Sequence, residues 1–277
     1  ERSAADDAAP GPPLAIRAKI DEVLAGPDRA LTNVDFDARY DGRYWRRFSL
    51  DAEIGGSDKL HIGYGPNGDG FGLNAHSDDA GKTFKALDWS DKMEGGTMAV
   101  TGRRASIDGP LEGKFEIKGY KITKAPLLAR LLQVASLTGL FHALGQRGLD
   151  FVRFDGGFTY RDGNLEIAKS RAFGSDLGFT LEGRFDLDDD IADLKGTVVP
   201  AYTVNQVLGQ IPILGPLLTG GKDEGMFAAT YAVTGPLDDL EVTVNPLSTL
   251  APGFLRNLFG AIGGGPEDKG PAPRVSQ

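Results

Sequence analysis

Apolar and polar side chains alternate with a period of two over most of this chain. In residues 48–54, Phe48, Leu50, Ala52 and Ile54 alternate with polar residues. Because successive side chains of a β-strand point to opposite faces, such a run predicts a strand with one apolar and one polar face. The same alternation recurs at Leu60, Ile62 and Tyr64, at Phe115 and Ile117, at Leu165 and Ile167, at Leu177, Phe179 and Leu181, at Phe185 and Leu187, and at Val242 and Val244.

Short Asp-Gly and Asn-Gly pairs separate the alternating runs. Asp and Asn tolerate positive φ and Gly adopts it freely, so these pairs favour tight hairpin turns, and strands joined by such turns are antiparallel neighbours. The pairs are Asp41-Gly42, Asn67-Gly68, Asp69-Gly70, Asp108-Gly109, Asp155-Gly156 and Asp162-Gly163. The sequence therefore predicts a mainly β fold, an elongated, twisted antiparallel sheet with one dry and one wet face.

The dry face of such a sheet must be covered. A β-sandwich would cover it with a second sheet, whereas a curved, trough-like sheet would leave room for a ligand. The alternation alone does not choose between these two arrangements.

Residues Lys124–Leu144 depart from the strand period and have apolar residues at helical spacing. Pro126 suits the first turn of a helix and Gly145 its end. The pattern predicts one amphipathic helix, at about residues 125–144 and about 30 Å long at 1.5 Å per residue. A membrane span is the rival interpretation, but Arg130 at a bilayer centre would cost roughly 2.5–3.5 kcal/mol. A helix lying on the sheet is favoured, with the apolar side formed by Leu127, Leu128, Leu131 and Leu132.

Two further apolar segments do not fit a strand. Residues Val207–Leu218 contain Pro212 and Pro216, which prevent a regular helix or a central strand. This segment is either a plug that seals one end of the core or a loop that touches lipid. Residues Pro252–Ile262 are predicted to form a short C-terminal amphipathic helix, which is either a docked cap or an interfacial membrane anchor. Leu14–Leu24 fits a helix and a strand equally well.

Composition excludes several classes of function. The formal net charge is −9, whereas proteins that bind nucleic acid usually carry a basic surface, so we expect no nucleic-acid binding. The chain has no cysteine, which excludes disulfides, thiolate metal sites and cysteine nucleophiles. The three histidines are not at metal-ligand spacing, and Gly63–Gly68, which matches a dinucleotide motif, reads as a hairpin. The acidic run at Asp186 and residues 188–190 reads as a hairpin tip. We therefore expect no enzyme activity, no cofactor and no metal site.

Four stretches of the second half carry a resemblance to a known family. They are Gly113–Ile117 leading into Ala125–Leu132 and Ala135–Leu140; Phe173–Ser175 with Gly178–Thr180 and Gly183; Gly196–Tyr202 with Asn205, Ile211-Pro212 and Gly215–Leu218; and Val233–Pro236 with Val244–Ser248 and Leu250–Gly253. On these, Met93–Phe259 resembles the C-terminal region of AsmA-like proteins, in the branch related to YhdP and, more distantly, TamB.

The resemblance implies one AsmA-like domain over residues 14–260, with looser strand repeats at 14–92 and the specific block at 93–260. It also favours a strand at Leu14–Leu24. Residues 1–13 and 261–277 are predicted from composition to be a flexible leader and a disordered tail. The implied location is the periplasm of a diderm bacterium, with anchoring to the inner membrane by an N-terminal segment absent from this chain.

The implied activity is passage of phospholipid between the inner and outer membranes along an apolar groove. The partners expected are phospholipids or other acyl lipids, together with membrane contact at the C-terminal end, and protein partners are not identified. The alternative is a non-enzymatic structural or assembly factor with a closed, dry core. The groove candidates are Leu127, Leu128, Leu131, Leu132, Phe141, Leu165, Ile167, Leu177, Phe179, Leu181, Phe185, Leu208, Ile211, Ile213, Leu214, Leu217 and Leu218. The membrane-contact candidates are Phe254, Leu255, Leu258 and Phe259.

Overall fold

The strands of this protein pair in the order in which they occur along the chain. A computed structural model describes residues 11–26, 29–135, 138–200 and 228–247. These residues form a single antiparallel sheet of 13 strands, in which each strand pairs with the next one along the chain. The strands are β1 (Leu14–Gly26), β2 (Arg29–Tyr40), β3 (Trp45–Ile54), β4 (Asp58–Asn67), β5 (Gly70–Ser77), β6 (Met93–Arg104), β7 (Leu111–Ile122), β8 (Leu149–Arg161), β9 (Asn164–Gly174), β10 (Leu177–Asp186), β11 (Ile191–Pro200), β12 (Ala228–Pro236) and β13 (Glu241–Leu247).

The predicted fold class is confirmed. The protein is mainly β, and the sheet is one open, twisted meander rather than two sheets packed face to face. Leu14–Leu24, which periodicity left ambiguous, lies in β1 and pairs antiparallel with β2. Gly63–Gly68 belongs to β4 and the turn that leads into β5, so the hairpin interpretation is also confirmed.

All but one of the Asp-Gly and Asn-Gly pairs predicted to form turns lie at connections between consecutive strands. Asp162 and Gly163, with φ of 46° and 73°, join β8 to β9 as a two-residue turn. Asp155-Gly156 is the exception, because it lies inside β8 at a β-bulge. A Cβ at Gly156 would lie 2.5 Å from the Ser170 Cβ on β9 and 2.9 Å from the Phe115 ring on β7. The glycine is there because neighbouring side chains lie against it, and not because the chain turns.

Residues paired across the ladder share a face of the sheet, so the pairing carries one apolar face from strand to strand. One row of partners across β2 to β7 is Phe36, Leu50, Ile62, Ala75, Val100 and Phe115. A second row, across β8 to β12, is Phe154, Ala172, Phe179, Val198 and Ala229. We call this surface the apolar face. The opposite, polar face has cross-strand ion pairs such as Lys19–Asp35 at 2.9 Å and Arg153–Glu116 at 2.6 Å.

The two edges at which the strands are connected differ in character. At one edge the connections are short, at residues 41–44, 68–69, 105–110, 162–163, 187–190 and 237–240, and we call it the turn edge. At the other edge, α1 (Ala80–Ala86) connects β5 to β6, and α2 (Pro126–Val134) with α3 (Thr138–Gln146) connects β7 to β8. We call this second edge the insertion edge. The three described helices therefore all enter from one side of the sheet.

The prediction of one helix at about 125–144 is wrong, because the segment contains two. Helix α2 ends at Val134, with Ala135 at its C-cap, and α3 begins at Thr138. The second helix begins with a Thr-Gly pair, and both residues are weak helix formers, which favours a break before it. The two helices contact each other. Their apolar residues Leu131, Leu132 and Leu144 are buried in one core with the sheet.

The C-terminal half of the sheet curls around this helical pair. Helix α2 packs on β13, although five strands lie between β7 and β13 in the sheet. The Arg130 guanidinium Nη1 donates a hydrogen bond to the Leu240 carbonyl oxygen at 3.3 Å. Neighbouring strands of a twisted sheet rotate by roughly 20–25°, so six successive pairs accumulate about 120–150°. This rotation brings the start of β13 close to α2 above the apolar face.

Helix α1 covers part of the N-terminal half and was not predicted. The Asp79 carboxylate caps it by accepting a hydrogen bond from the Lys82 N–H at 2.9 Å. Ala80 and Ala86 are buried against the apolar face, and the Ser77 and Thr83 hydroxyls are hydrogen-bonded beneath the helix at 2.6 Å. Seven residues are too few to show a helical period in sequence.

Several predictions lie outside the described residues. They concern the apolar loop Val207–Leu218, the C-terminal helix Pro252–Ile262, the tail at 261–277 and residues 1–10 of the leader.

Replacing Leu131 with Asp is expected to lower the free energy of unfolding by several kcal/mol or to detach α2 from the sheet. The Leu131 side chain is only 6% exposed, and an unpaired carboxylate there would lose its water. Gln133→Asp is the matched control, since Gln133 is exposed on the same helix, and its loss should stay below about 1 kcal/mol. Equal thermal unfolding curves for wild type and Leu131→Asp would show that this side of α2 is not buried.

Candidate functional site

The apolar face is the candidate functional site, and the predicted groove residues that the structure describes all lie on it or on the helices above it. Leu131, Leu132, Ile167 and Leu177 are buried. The half-buried members are Leu127, Leu128, Phe141, Leu165, Phe179, Leu181 and Phe185. Leu208, Ile211, Ile213, Leu214, Leu217 and Leu218, and the membrane-contact candidates Phe254, Leu255, Leu258 and Phe259, lie outside the described residues.

In the C-terminal half the apolar face is closed by α2, α3 and the curl of β13. Leu132 and Leu177 are 0% and 1% exposed, and Ala172 and Ala192 are 0% exposed. These side chains belong to one continuous hydrophobic cluster. With the helices in place this part of the face is a filled core, so its most buried candidates contact protein and not a ligand.

In the N-terminal half the described residues cover the apolar face only at the insertion edge. Leu31, Ile54 and Leu60 are buried in a cluster with Ala86 of α1. Nearer the turn edge, the side chains on the same strands are half-buried. These residues are Phe36, Phe48, Leu50, Ile62, Tyr64, Phe71, Leu73, Val100 and Phe115, and we call them the open surface.

None of the open surface was among the predicted groove candidates. Phe48, Leu50, Ile62 and Tyr64 were recognised as strand residues by their alternation. The resemblance to a family, however, was specific only in the second half of the chain, and the candidates were taken from that half. Alternation in the first half was the signal that could have found them.

Aromatic side chains line the open surface and link it to the closed half. Phe36 and Phe48 have ring centroids 6.3 Å apart, and the rings of Tyr64 and Phe71 are stacked at 5.7 Å. Phe115 meets Phe154 edge-on at 4.9 Å. Such rings present large apolar areas in defined geometry. The result is an apolar strip that runs across the strands into the C-terminal core.

A tyrosine hydrogen bond links three neighbouring strands, β10 to β12, in the closed half of the sheet. Tyr231 on β12 reaches across β11 at Gly196, and its hydroxyl donates to the Thr180 carbonyl oxygen on β10 at 2.6 Å. A Cβ at position 196 would lie 2.7 Å from that hydroxyl, so only glycine leaves room for the crossing. Burial raises the pKa of Tyr231, which keeps the hydroxyl protonated as a donor.

The polar face offers little chemistry. His61 and His76 are cross-strand neighbours, a proximity that their sequence spacing did not indicate. Each contacts its own carboxylate, His61 Nδ1 with Asp51 at 2.7 Å and His76 Nε2 with Asp78 at 3.2 Å. In the described part of the chain, no group of three or more His, Cys, Asp or Glu side chains could hold a metal ion.

The polar face also has a depression of about 830 Å³ over β9 to β13. Threonine hydroxyls and charged side chains line it. Two of its cations are paired, with Lys195 3.3 Å from Glu182 and Arg171 3.6 Å from Asp155. Lys169, which also lines the depression, forms no ion pair with a described residue.

Comparisons with known proteins give no family for the chain. No family model matches it, and no curated protein or solved structure matches it either. Within the described ranges, no helix is long and apolar enough to cross a membrane.

Replacing Tyr231 with Phe should lower the free energy of unfolding by about 1–3 kcal/mol, because the part-buried Thr180 carbonyl oxygen loses its hydrogen-bond donor. Tyr160→Phe is the control, since Tyr160 is on the same face and its hydroxyl donates to none of the described residues. Denaturant unfolding of both variants measures the difference. A loss no larger for Tyr231→Phe than for Tyr160→Phe would contradict the role of this hydrogen bond.

Proposed function

We propose that this protein binds acyl lipids on its apolar face and shields their chains from water during transfer between membranes. The observation that carries the proposal is the open surface on β2 to β7, an uncovered part of an apolar face that continues across the whole sheet. Soluble proteins rarely leave a contiguous apolar area of this kind without a ligand or partner for it. The ligand is a phospholipid or another molecule with long acyl chains.

The free energy of acyl-chain hydration makes such a surface useful. Exposing a 16-carbon chain to water costs about 0.8 kcal/mol per CH₂, or roughly 12 kcal/mol in all. At 1.4 kcal/mol per factor of ten, this corresponds to about nine decades of partitioning. A continuous apolar strip removes most of that cost through many weak contacts. Lipid can then move along the surface without a high-affinity site.

The resemblance to AsmA-like proteins supports the same function, and it adds the periplasm of a diderm bacterium and inner-membrane anchoring to the proposal. The proposed role is non-enzymatic and needs no cofactor, metal or nucleic acid. Its membrane-contact part rests on Phe254, Leu255, Leu258 and Phe259, which lie outside the described residues.

A second candidate function is that of a structural or assembly factor for the outer membrane or its proteins. The filled core under α2 and α3 favours it, because a sheet that is closed in one half needs no lipid there. In that case the open surface of the N-terminal half would contact a protein.

Photocrosslinking at two consecutive residues of β5 tests the lipid proposal. Leu73 faces the apolar side and pairs with Tyr64, whereas Asn74 faces the polar side and pairs with Gly63. A photoreactive phenylalanine analogue placed at position 73 should crosslink to phospholipid in cells, and the same analogue at position 74 should not. Mass spectrometry of the crosslinked protein identifies the acyl chains.

Equal crosslinking at positions 73 and 74 would mean nonspecific lipid contact and would refute the proposal. Crosslinking of position 73 to a protein and not to lipid would favour the assembly factor. A crosslinker at Leu132, which is fully buried, should give no lipid adduct while α2 is seated on the core.

A further inference from the structure

Arginine side chains are concentrated at the turn edge beside the open surface. Residues 39–47, which span the connection from β2 to β3, contain four arginines and one aspartate. Arg103 and Arg104 end β6 at the same edge, and Asp69 and Asp108 are the acidic residues of the two neighbouring connections. The chain as a whole has a formal net charge of −9, so this excess of cations is local.

The other end of the turn edge, beside the closed half, is acidic. The connection from β10 to β11 contains Asp188, Asp189 and Asp190, and the connection from β12 to β13 contains Asp238 and Asp239. Neither connection contains lysine or arginine. An anion near this edge is therefore attracted to the N-terminal half of the sheet and repelled by the C-terminal half.

Two of the arginines lie next to Tyr64, at the end of the open surface. Arg104 pairs with Phe71, and its guanidinium Cζ lies 5.9 Å from the centroid of the Tyr64 ring. Burial raises the pKa of the Tyr64 hydroxyl, and the nearby positive charges of Arg104 and Arg46 oppose that rise. Because Tyr64 and Phe71 are themselves stacked, the apolar strip ends against cationic side chains.

Arg104 has no carboxylate partner within the described ranges. Its Nη1 donates a hydrogen bond to the Ile107 carbonyl oxygen at 2.7 Å, which holds the side chain at the edge of the sheet. The Arg104 Nε and the Tyr64 hydroxyl are shielded from water and have no hydrogen-bond partner among the described residues. Buried polar groups of this kind are rare, because the loss of water is not compensated. A phosphate oxygen would supply the missing acceptor after a small rotation of the two side chains.

Arg46 is paired with Asp41, but that carboxylate also belongs to the turn. Asp41 accepts hydrogen bonds from the N–H groups of Arg43 and Tyr44 at 2.9 and 2.8 Å. These two bonds, together with the bond from Arg46, lower the pKa of Asp41 to about 2. The pair uses the Nε of Arg46, whose two terminal nitrogens carry further N–H donors. The turn therefore positions Arg46 without using all of its donors.

We propose that this end of the open surface is a phosphate-binding site of Arg46, Tyr64 and Arg104, which holds the headgroup of a phospholipid whose acyl chains lie on the open surface. Guanidinium groups match phosphate in charge and geometry, and the adjoining apolar strip matches the chains. The inference rests on the proposed function and narrows its ligand to acyl lipids that carry a phosphate group. It also orients the lipid, with the headgroup at the turn edge and the chains directed inward.

Two lipids with the same fluorescent acyl chain test the site, namely phosphatidylglycerol and diacylglycerol, because only the first carries a phosphate group. Each is titrated into the full chain, and inorganic phosphate is titrated separately by calorimetry. Arg104→Gln removes a positive charge from the apolar side of β6. Arg103→Gln is the matched control, since Arg103 is the preceding residue, faces the polar side and pairs with Gly72. Arg46→Gln is a second, independent variant, and thermal unfolding checks that all three are folded.

The wild-type protein should bind phosphatidylglycerol at least about tenfold more tightly than diacylglycerol. Arg104→Gln and Arg46→Gln should each weaken phosphatidylglycerol binding about tenfold and leave diacylglycerol binding unchanged, whereas Arg103→Gln should change neither. Inorganic phosphate alone should bind far more weakly than phosphatidylglycerol, because it makes no contact with the apolar strip.

Equal affinity for the two lipids, or an equal loss in Arg103→Gln and Arg104→Gln, would refute the headgroup site and leave the lipid-binding function intact. Inorganic phosphate that binds as tightly as phosphatidylglycerol would show a site for a free anion and overturn the assignment to a lipid. Binding of neither lipid would refute the proposed function together with the headgroup site.

Discussion

Cross-strand pairing is the constraint on which this structure depends. Side chains of residues paired across an antiparallel ladder point to the same side of the sheet. If one strand has its apolar residues on one face, the paired strand must therefore place its apolar residues on that face too. Val100 on β6 lies between Ala75 and Phe115 for this reason, and the row continues strand by strand. Once every strand is paired in sequence order, the apolar side chains form one uninterrupted face. That face then determines where the helices must lie.

The described helices and strands cover the apolar face unevenly, and the proposed function depends on that difference. In the C-terminal half the sheet covers itself, through its twist, through α2 and α3, and through the hydrogen bond that Tyr231 makes across β11. In the N-terminal half α1 covers only the part at the insertion edge, which leaves side chains such as Leu73 half-buried. A filled core and an uncovered strip thus belong to the same face. The filled core stabilises the fold, and the uncovered strip is the part to which we assign the proposed binding of acyl chains.

Local features of the fold could be predicted from sequence, because they depend on neighbouring residues. Alternation gave the correct face for Phe48 to Ile54, and Asp162-Gly163 gave a correct turn. Asp155-Gly156 looks the same in sequence, but its glycine is required by the close approach of Ser170 and Phe115 from the two neighbouring strands. The curl could not be predicted at all. Its closing hydrogen bond joins Arg130 to Leu240 and depends on twist accumulated over six strand pairs.

A sheet whose spatial order equals its sequence order can be assembled as a zipper. Each new strand pairs with the strand just before it, so the loop that each pairing closes is short for most pairs and its entropy cost stays small. The chain can therefore fold progressively, hairpin by hairpin, whereas the packing of α1 on β2 and of α2 on β13 joins parts that are distant in sequence. The same order allows whole hairpins to be added or removed without reversing the faces of the remaining strands. The length of the apolar strip is thus a quantity that can change in evolution without a change of fold.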